Sequence, residues 1–437
     1  MTRWKELLAG KFRQDVVWNL ASLGVLSVCG TLLLILIGRT YDEATLGVFQ
    51  QTATAYFIFS QLAVAGIDRS TLRAVAAHAD DRVLRRSIIG GALVSTIVLA
   101  GLVTAFYWAS IPWLATWFHD SPRVPIGLAA SAPGLFFFAL NKVLLAVVNG
   151  VQRMRAFAVY QALRYLLLLL GLVGFLVFDV ERQYGDRLAA VFSIEEIVLS
   201  LVLGIEVWRQ MSAPARGEER TERRGTWRTW SGEHLRYGVK SVASGVLLEI
   251  NTYVDTAMIG HFMTDTAVGV YAVASQIAQG LFQILWVLQN VYNPILAREI
   301  AGRRFDELMI TVRRGRRWTY AGMAIVGLAA VYLYPFVVDL MFAKPGFLAS
   351  WGPFNYLMIG TVLAAGYIPF AQTLLMSGHP GWHTLYMVAT VICNVIGNWI
   401  LIPILGIEGA AISTGGALFL SVFILKATVR WRVGLRI

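Results

Sequence analysis

The chain has 437 residues, of which 57% are apolar and only 14% charged, and its mean hydropathy is +0.63. A soluble domain carries roughly 25% charge, and a surface this apolar cannot be hidden in one aqueous core, so composition excludes a single soluble domain and points to a polytopic membrane protein. The two cysteines, Cys29 and Cys393, lie in apolar stretches and exclude a disulfide scaffold or cysteine zinc site, and the six histidines are scattered, with no HExxH and no close carboxylate partners at metal-ligand spacing.

In chain order, residues 1–16 alternate bulky apolar with basic residues, which predicts an interfacial amphipathic segment rather than a cleaved leader. Twelve apolar spans follow, at 17–38, 45–66, 88–113, 125–147, 157–178, 188–208, 237–260, 266–296, 318–342, 353–377, 384–404 and 408–427. Each can supply the roughly 20 apolar residues that a helix needs to cross a bilayer. The stretch 209–236 is polar and rich in Arg and Glu, and reads as a linker between an N-terminal lobe, 17–208, and a C-terminal lobe, 237–427. A basic tail occupies 428–437. The predicted fold class is all-α, a polytopic membrane protein of twelve transmembrane helices.

Charge placement sets the orientation. The net charge of +11 suggests nucleic acid at first sight. Yet 30 of the 37 Lys and Arg residues fall in one alternating set of loops, and only Arg39, Arg123, Arg182, Arg187 and Lys344 in the other. Basic residues concentrate on the cytoplasmic side of membrane proteins, so both termini and the linker are expected in the cytoplasm and no nucleic-acid partner is needed.

The two halves resemble one another. Residues 36–49, LIGRTYDEATLGVF, align with 258–271, MIGHFMTDTAVGVY, at an offset of 222, pairing Gly38 with Gly260 and Gly47 with Gly269. A second similarity joins LRAVAAHADDRVLRR to LAREIAGRRFDELMITVRRGRR, and weaker echoes join VNGVQRM to MSGHPGW and LAAVFS to GAAIST. Six spans per half give both halves the same orientation, which predicts two parallel-repeat six-helix lobes around a central cavity.

At this point the chain resembles a family. The pattern Gly-Arg-x-x-x-Glu-x-x-x-Gly-Val-Phe at 38–49, Ala-Gly-Ile-Asp-Arg at 65–69 with Leu72-Arg73, and NTYVDTAMIGHF…VGVYAVA at 251–274 are similar to the Wzx-like polysaccharide flippases of the multidrug/oligosaccharidyl-lipid/polysaccharide (MOP) superfamily. That resemblance implies a bacterial inner-membrane flippase moving an undecaprenyl-pyrophosphate-linked oligosaccharide to the periplasmic leaflet. It implies a monomer with membrane lipids around it, a polysaccharide polymerase and chain-length proteins as partners, and no enzymatic step. Lipid II flippases resemble the chain too, but usually carry fourteen spans. Two alternatives are a multidrug or cation antiporter and a membrane-embedded glycosyl- or acyltransferase. The buried basic residues of the first half speak against the antiporter. Short outward loops and the lack of a histidine in a catalytic setting speak against the transferase.

Ionisable residues inside spans are functional candidates, because each costs at least about 2.5 kcal/mol at a helix centre. Lys142 and Arg164 sit within about 10 Å of the expected inner interface, a depth that suits a pyrophosphate, and Lys240 opens the seventh span. The competing reading for all three is snorkelling of a long stem to water. Glu249, Asp255 and Glu195 are candidates for coupling to H⁺ or Na⁺, against an interhelical hydrogen bond or pairing with an arginine. Glu195 and Glu196 are adjacent, about 100° apart on a helix, so one of them is expected to face the cavity. Gln276, Gln279 and Gln283 form a polar stripe suited to a hydrated glycan, or else glue between helices. No metal site and no bound cofactor are expected.

Overall fold

The computed structural model describes residues 2–79, 81–119, 121–212, 225–302 and 304–434, and no strand occurs among them. The chain runs α1 (Thr2–Thr40), α2 (Glu43–Val64), a short α3 (Ile67–Ala77), α4 (Arg82–Trp117), α5 (Val124–Gly150), α6 (Met154–Phe178) and α7 (Ala190–Ser212). It continues with α8 (Trp227–Phe262), α9 (Asp265–Ala301), α10 (Phe305–Phe342), α11 (Trp351–Ala364), a short α12 (Thr373–Met376), α13 (Pro380–Leu405) and α14 (Ile407–Val433). Apart from α3 and α12, each helix falls on one predicted span.

Nine helical stretches among the described residues are apolar and long enough to cross a membrane on length and composition, and α1, α2 and α8 fall outside that set. The reason is visible in α2 and α8. The first carries Gln50, Gln51, Thr52, Thr54 and Gln61, and the second Glu249, Asn251 and Asp255. Elsewhere the outward faces are greasy. Ile325, Leu328, Tyr332 and Phe336 recur every three or four residues along α10 and are each at least two-thirds exposed. A helix that shows such a stripe to its surroundings is solvated by lipid.

Local signals explain the helix boundaries. The Asp81 carboxylate caps α4 by accepting from the Leu84 amide at 2.9 Å. Gly406, at φ 62° and ψ −140°, turns α13 into α14 in one residue, in a backbone region closed to other residues.

The chain divides into two compact units, residues 1–37 with 52–249, and residues 38–51 with 250–437. In the first, α5 is enclosed along most of its length and seats Leu144, Leu145, Val147 and Val148 against Ala74, Val75, Ile88 and Leu199. In the second, Leu296, Leu308, Val312, Phe370, Leu374, Leu425 and Val429 form a core between α9, α10 and α14. These units trade two short pieces relative to the lobes expected from the span count. Residues 38–51 join the second unit because Gly47 lies on the Asp265–Gly269 backbone. The first half of α8 joins the first unit because Gly238 rests on the Ala65 carbonyl.

Other boundaries differ as well. No break separates 1–16 from the first span, since α1 runs unbroken from Thr2, and the side chains of 1–16 lie outside the described residues. The expected linker is shorter than 209–236: α7 reaches Ser212 and α8 begins at Trp227, while 213–224 lie outside the described residues. The span 353–377 ends its helix at Ala364 and finishes in short turns. Helix α14 runs through most of the basic tail to Val433.

Three pairs of local structures repeat between the halves. Thr96 Oγ1 donates back to the Ala92 carbonyl at 2.8 Å, and Thr319 Oγ1 to the Gly315 carbonyl at 2.8 Å. Buried Tyr107 meets Ser131 at 3.1 Å, and buried Tyr334 meets Ser350 at 2.8 Å. The aligned glycines make the third pair. A Cβ on Gly47 would strike the Asp265 carbonyl, and one on Gly269 would strike the Glu43 carbonyl. Each glycine thus meets the residue four before the other. Such reciprocity is what a local twofold axis produces.

Candidate functional site

In the first unit the charges gather where α5, α6 and α7 meet. Helix α6 supplies Arg164, whose Nε donates to Glu195 Oε1 at 3.1 Å and whose Nη2 donates to Glu196 Oε1. Both glutamates therefore face one guanidinium, against the expectation that adjacency would turn one of them away. Helix α7 has room to present both because Arg164 lies between their directions and reaches each with a different nitrogen. Glu196 is further held by Asn141, which donates to its Oε2 at 2.7 Å and to its backbone carbonyl at 2.8 Å. Ser200 in turn donates to Asn141 at 2.8 Å. The guanidinium of Arg164 rests 4.4 Å from the Phe138 ring centre, and the Lys142 ammonium lies 5.4 Å from it.

Beside this network lies a cavity of about 270 Å³ lined by Asp68, Arg69, Lys142, Asn149, Gln161, Arg164 and Tyr165, with Leu26, Leu72, Leu145, Ala146 and Phe157 as its apolar wall. Lys142 and Arg164 are brought together as expected. Their roles part, however. Arg164 is engaged by two carboxylates, whereas Lys142 makes no hydrogen bond or ion pair among the described residues. Arg69, which sequence reasoning passed over, joins the lining; its place in Ala-Gly-Ile-Asp-Arg was the signal available. Glu249 accepts from Gln61 at 2.9 Å in the same unit. The side chain of Lys240 lies outside the described residues.

In the second unit Asp255 is the centre of a polar knot. Its Oδ1 accepts from Asn394 at 2.9 Å and Asn398 at 2.8 Å, and its Oδ2 accepts from Tyr271 at 2.8 Å and Thr414 at 2.5 Å. Four neutral donors from three other helices thus surround one carboxylate. Asn394 Oδ1 accepts from Ser413 and Thr414, while Asn398 Oδ1 is buried without a partner among the described residues. The carboxylate, the two hydroxyls and the unpartnered Asn398 Oδ1 are oxygen ligands of the kind that suits a hard monovalent cation or a proton rather than a transition metal. No group of three His, Cys, Asp or Glu side chains placed to hold a metal ion occurs among the described residues. Asn394 and Asn398 were missed in the sequence, although two amides four apart in an apolar span are a legible signal.

Gln276, Gln279 and Gln283 are all exposed on α9, and Gln279 donates to Ser275 at 2.9 Å. By contrast Gln289 and Asn293, a few turns on, hold α9 to the Ile368 carbonyl and to Gln372. The first three form an open polar stripe; the last two are glue.

The chain is thus two helical units, each with a polar cluster buried among its helices, nine of which among the described residues are apolar and long enough to cross a membrane. Residues 12–299, two thirds of the chain, match the model of the polysaccharide biosynthesis protein family, and residues 241–400 match that of the MatE family. The chain belongs to the polysaccharide biosynthesis protein family. Its fold is that of the MOP superfamily. A structure of the lipid II flippase MurJ in an inward closed conformation superposes with a TM-score of 0.75 at 14% identity, covering 95% of this chain and 87% of that one. An inward-facing multidrug resistance MATE family transporter gives 0.71 at 13% identity, with 93% and 94% covered. A MOP superfamily transporter from Pyrococcus furiosus gives 0.63 at 14% identity, with 97% and 95% covered. Among curated proteins no match is found.

Proposed function

We propose that this protein flips an undecaprenyl-pyrophosphate-linked oligosaccharide from the cytoplasmic to the periplasmic leaflet of a bacterial inner membrane by alternating access. The observation that carries the reading is the basic cavity among membrane spans, where Arg69, Lys142 and Arg164 converge with a single carboxylate, Asp68. Lys142, which no hydrogen bond or ion pair among the described residues engages, is the cation left for a phosphate in this basic lining. Within the cavity Lys142 takes the phosphate, and Arg164, bound to its glutamates, positions the wall. The exposed glutamine stripe of α9 serves the hydrated glycan. Asp255 with Asn394, Asn398 and Thr414 binds the coupling Na⁺ or H⁺. Both termini are cytoplasmic, and a polymerase and chain-length proteins receive the product.

The test is a reconstitution in vesicles with a fluorescent polyprenyl-pyrophosphate oligosaccharide, read as protection of the label from an impermeant quencher. Lys142→Gln should accumulate normally and lose most flipping, while Lys142→Arg should keep part. Full flipping by Lys142→Gln would overturn the assignment. The MatE match over 241–400 favours one other reading, export of a cationic compound. Transport of an organic cation with no movement of the lipid-linked glycan would select it.

A further inference from the structure

The repeated threonine back-bonds align Thr96 of α4 in sequence with Thr319 of α10, at an offset of 223. It follows that Gly91 corresponds to Arg314 and Ser95 to Trp318. On α4 those two positions are a seat for protein. The first turns of α8 lie on Gly91, with Trp227 and Ser231 backbone and the Trp230 Cβ within 2.8 Å of where a Cβ would stand, and Ser95 Oγ meets Ser231 Oγ at 2.6 Å. On α10 the same face carries large charged and aromatic groups, and they are exposed.

What α10 presents instead is a hollow of about 610 Å³ lined by Ile310, Arg313, Arg314, Arg317, Trp318 and Ala321. All six are exposed, Trp318 to 71%. Among the described residues none of the three arginines has an ion pair, a hydrogen bond or a ring contact. Their neighbour Arg316 is different: it turns inward and stacks 4.1 Å over Tyr367. The face continues without a break into the lipid-exposed stripe of Ile325, Leu328, Tyr332 and Phe336.

We propose that Arg313, Arg314 and Arg317 bind the headgroup of an anionic phospholipid whose chains lie along that stripe, with Trp318 at the level of the glycerol. Three unpaired guanidiniums at one end of a greasy face demand an anion, and the face itself demands acyl chains; one phospholipid supplies both. Guanidiniums are suited to phosphate by their forked donors, and tryptophan by its amphipathic ring to the interface. The contribution expected from basic residues at a membrane surface is about fivefold in affinity each, on the order of 100-fold for three. The site is separate from the cavity in the first unit and stands whether or not the flippase reading does.

The experiment uses the full-length protein in phosphatidylcholine vesicles containing brominated phosphatidylglycerol or, at equal mole fraction, brominated phosphatidylcholine. Trp318 emission is isolated as the difference between the protein and Trp318→Phe. Brominated phosphatidylglycerol should quench it with strong preference, and R313Q/R314Q/R317Q should abolish the preference. Neutralising Arg298 and Arg304, which pair with Glu299, should leave it intact. Since all three arginines are exposed, the triple variant should fold, which its unchanged melting temperature verifies. Equal quenching by the two lipids, or a preference surviving in the triple variant, overturns the proposal. So does loss of the preference on adding inorganic pyrophosphate, which would assign the hollow to a soluble anion.

Discussion

The polar centres of the two units solve one electrostatic problem in different ways. In the first, Glu195 and Glu196 are buried against Arg164, a cation fixed to the same chain. In the second, Asp255 is met by two amides and two hydroxyls, all neutral. The position of α1 that matches Asp255 at the 222 offset is Leu33, so the first unit has moved its charge onto α6 and α7. The scaffold around both is alike, with the same threonine back-bonds and the same tyrosine–serine contacts. A tethered cation can never leave, whereas a carboxylate with only neutral donors keeps an unbalanced charge that a mobile cation or proton can cancel. The first unit is thereby suited to hold shape and the second to exchange an ion.

The largest effect should come from breaking the tethered pair. Removing one member of a buried ion pair costs about 3–5 kcal/mol because the partner is left uncompensated, while replacing all members with neutral groups is often tolerated. Arg164→Ala should therefore accumulate poorly and melt early, and R164M/E195Q/E196Q should recover much of the lost stability. Normal accumulation of Arg164→Ala would mean that the glutamates do not depend on it, and the contrast between the units would fail.

Next comes the ion itself. If Na⁺ binds at Asp255, wild-type protein should gain about 2.7 kcal/mol of apparent stability at a hundredfold excess over the dissociation constant. Melting in sodium against choline salts reads this directly. Asp255→Asn and Asn398→Ala should abolish the sodium shift, and Glu195→Gln should keep it. A shift that survives Asp255→Asn but vanishes with Glu195→Gln would reverse the assignment of roles.

A smaller effect is expected where the two repeated segments meet inside the second unit. Gly47→Val would put a branched side chain against the Asp265 carbonyl, and Gly269→Val one against that of Glu43. Overpacking of this kind costs about 1–3 kcal/mol. The two variants should be destabilised to a similar extent in a melting experiment. A large effect at one position and none at the other would show that the reciprocal contact is not a shared load.

Much of the fold was legible in the sequence because apolar length and the sidedness of Arg and Lys are imposed by the bilayer itself. A helix on each of the twelve apolar stretches followed from that pattern, nine of them apolar and long enough to span among the described residues, and the Gly47/Gly269 match followed from aligning the two halves. What escaped it depends on partners far apart in the chain. Arg164 read as a cation awaiting an anion because its counter-charges are more than thirty residues away on another helix. Asp255 read as either an ion-coupling group or a partner in an interhelical hydrogen bond, and its partners could not be named because Asn394, Asn398 and Thr414 are neutral and distant. The start of α8 read as linker because Trp227, Arg228 and Glu233 are polar or amphipathic, although their helix docks on α4.

That docking offers the finest comparison, between the covered face of α4 and the open face of α10. His234 is fully buried under it, with Nδ1 at 2.8 Å from Ser70 Oγ and Nε2 at 3.2 Å from the Ile88 carbonyl. Burial pushes its pKa below the ordinary imidazole value. The neutral ring fits both contacts, donating from Nε2 and accepting from Ser70. An unfolded chain then binds this proton more readily than the folded one, so acid favours unfolding. Stability should be full above about pH 6.5, the unfolded value, and should decline as pH falls below it, by at most about 1.4 kcal/mol per unit. The decline should level off once pH passes under the folded value. His234→Gln keeps a donor and an acceptor but cannot titrate, so subtracting its melting profile from that of the wild type isolates this one group. A difference that is flat between neutral and mildly acid pH would show that the imidazole does not fasten α8 to α4 in its neutral form. Arg314 and Trp318 occupy the matching positions on α10, where no such histidine is in place, and variants at those two residues should leave the acid limb of the profile unchanged.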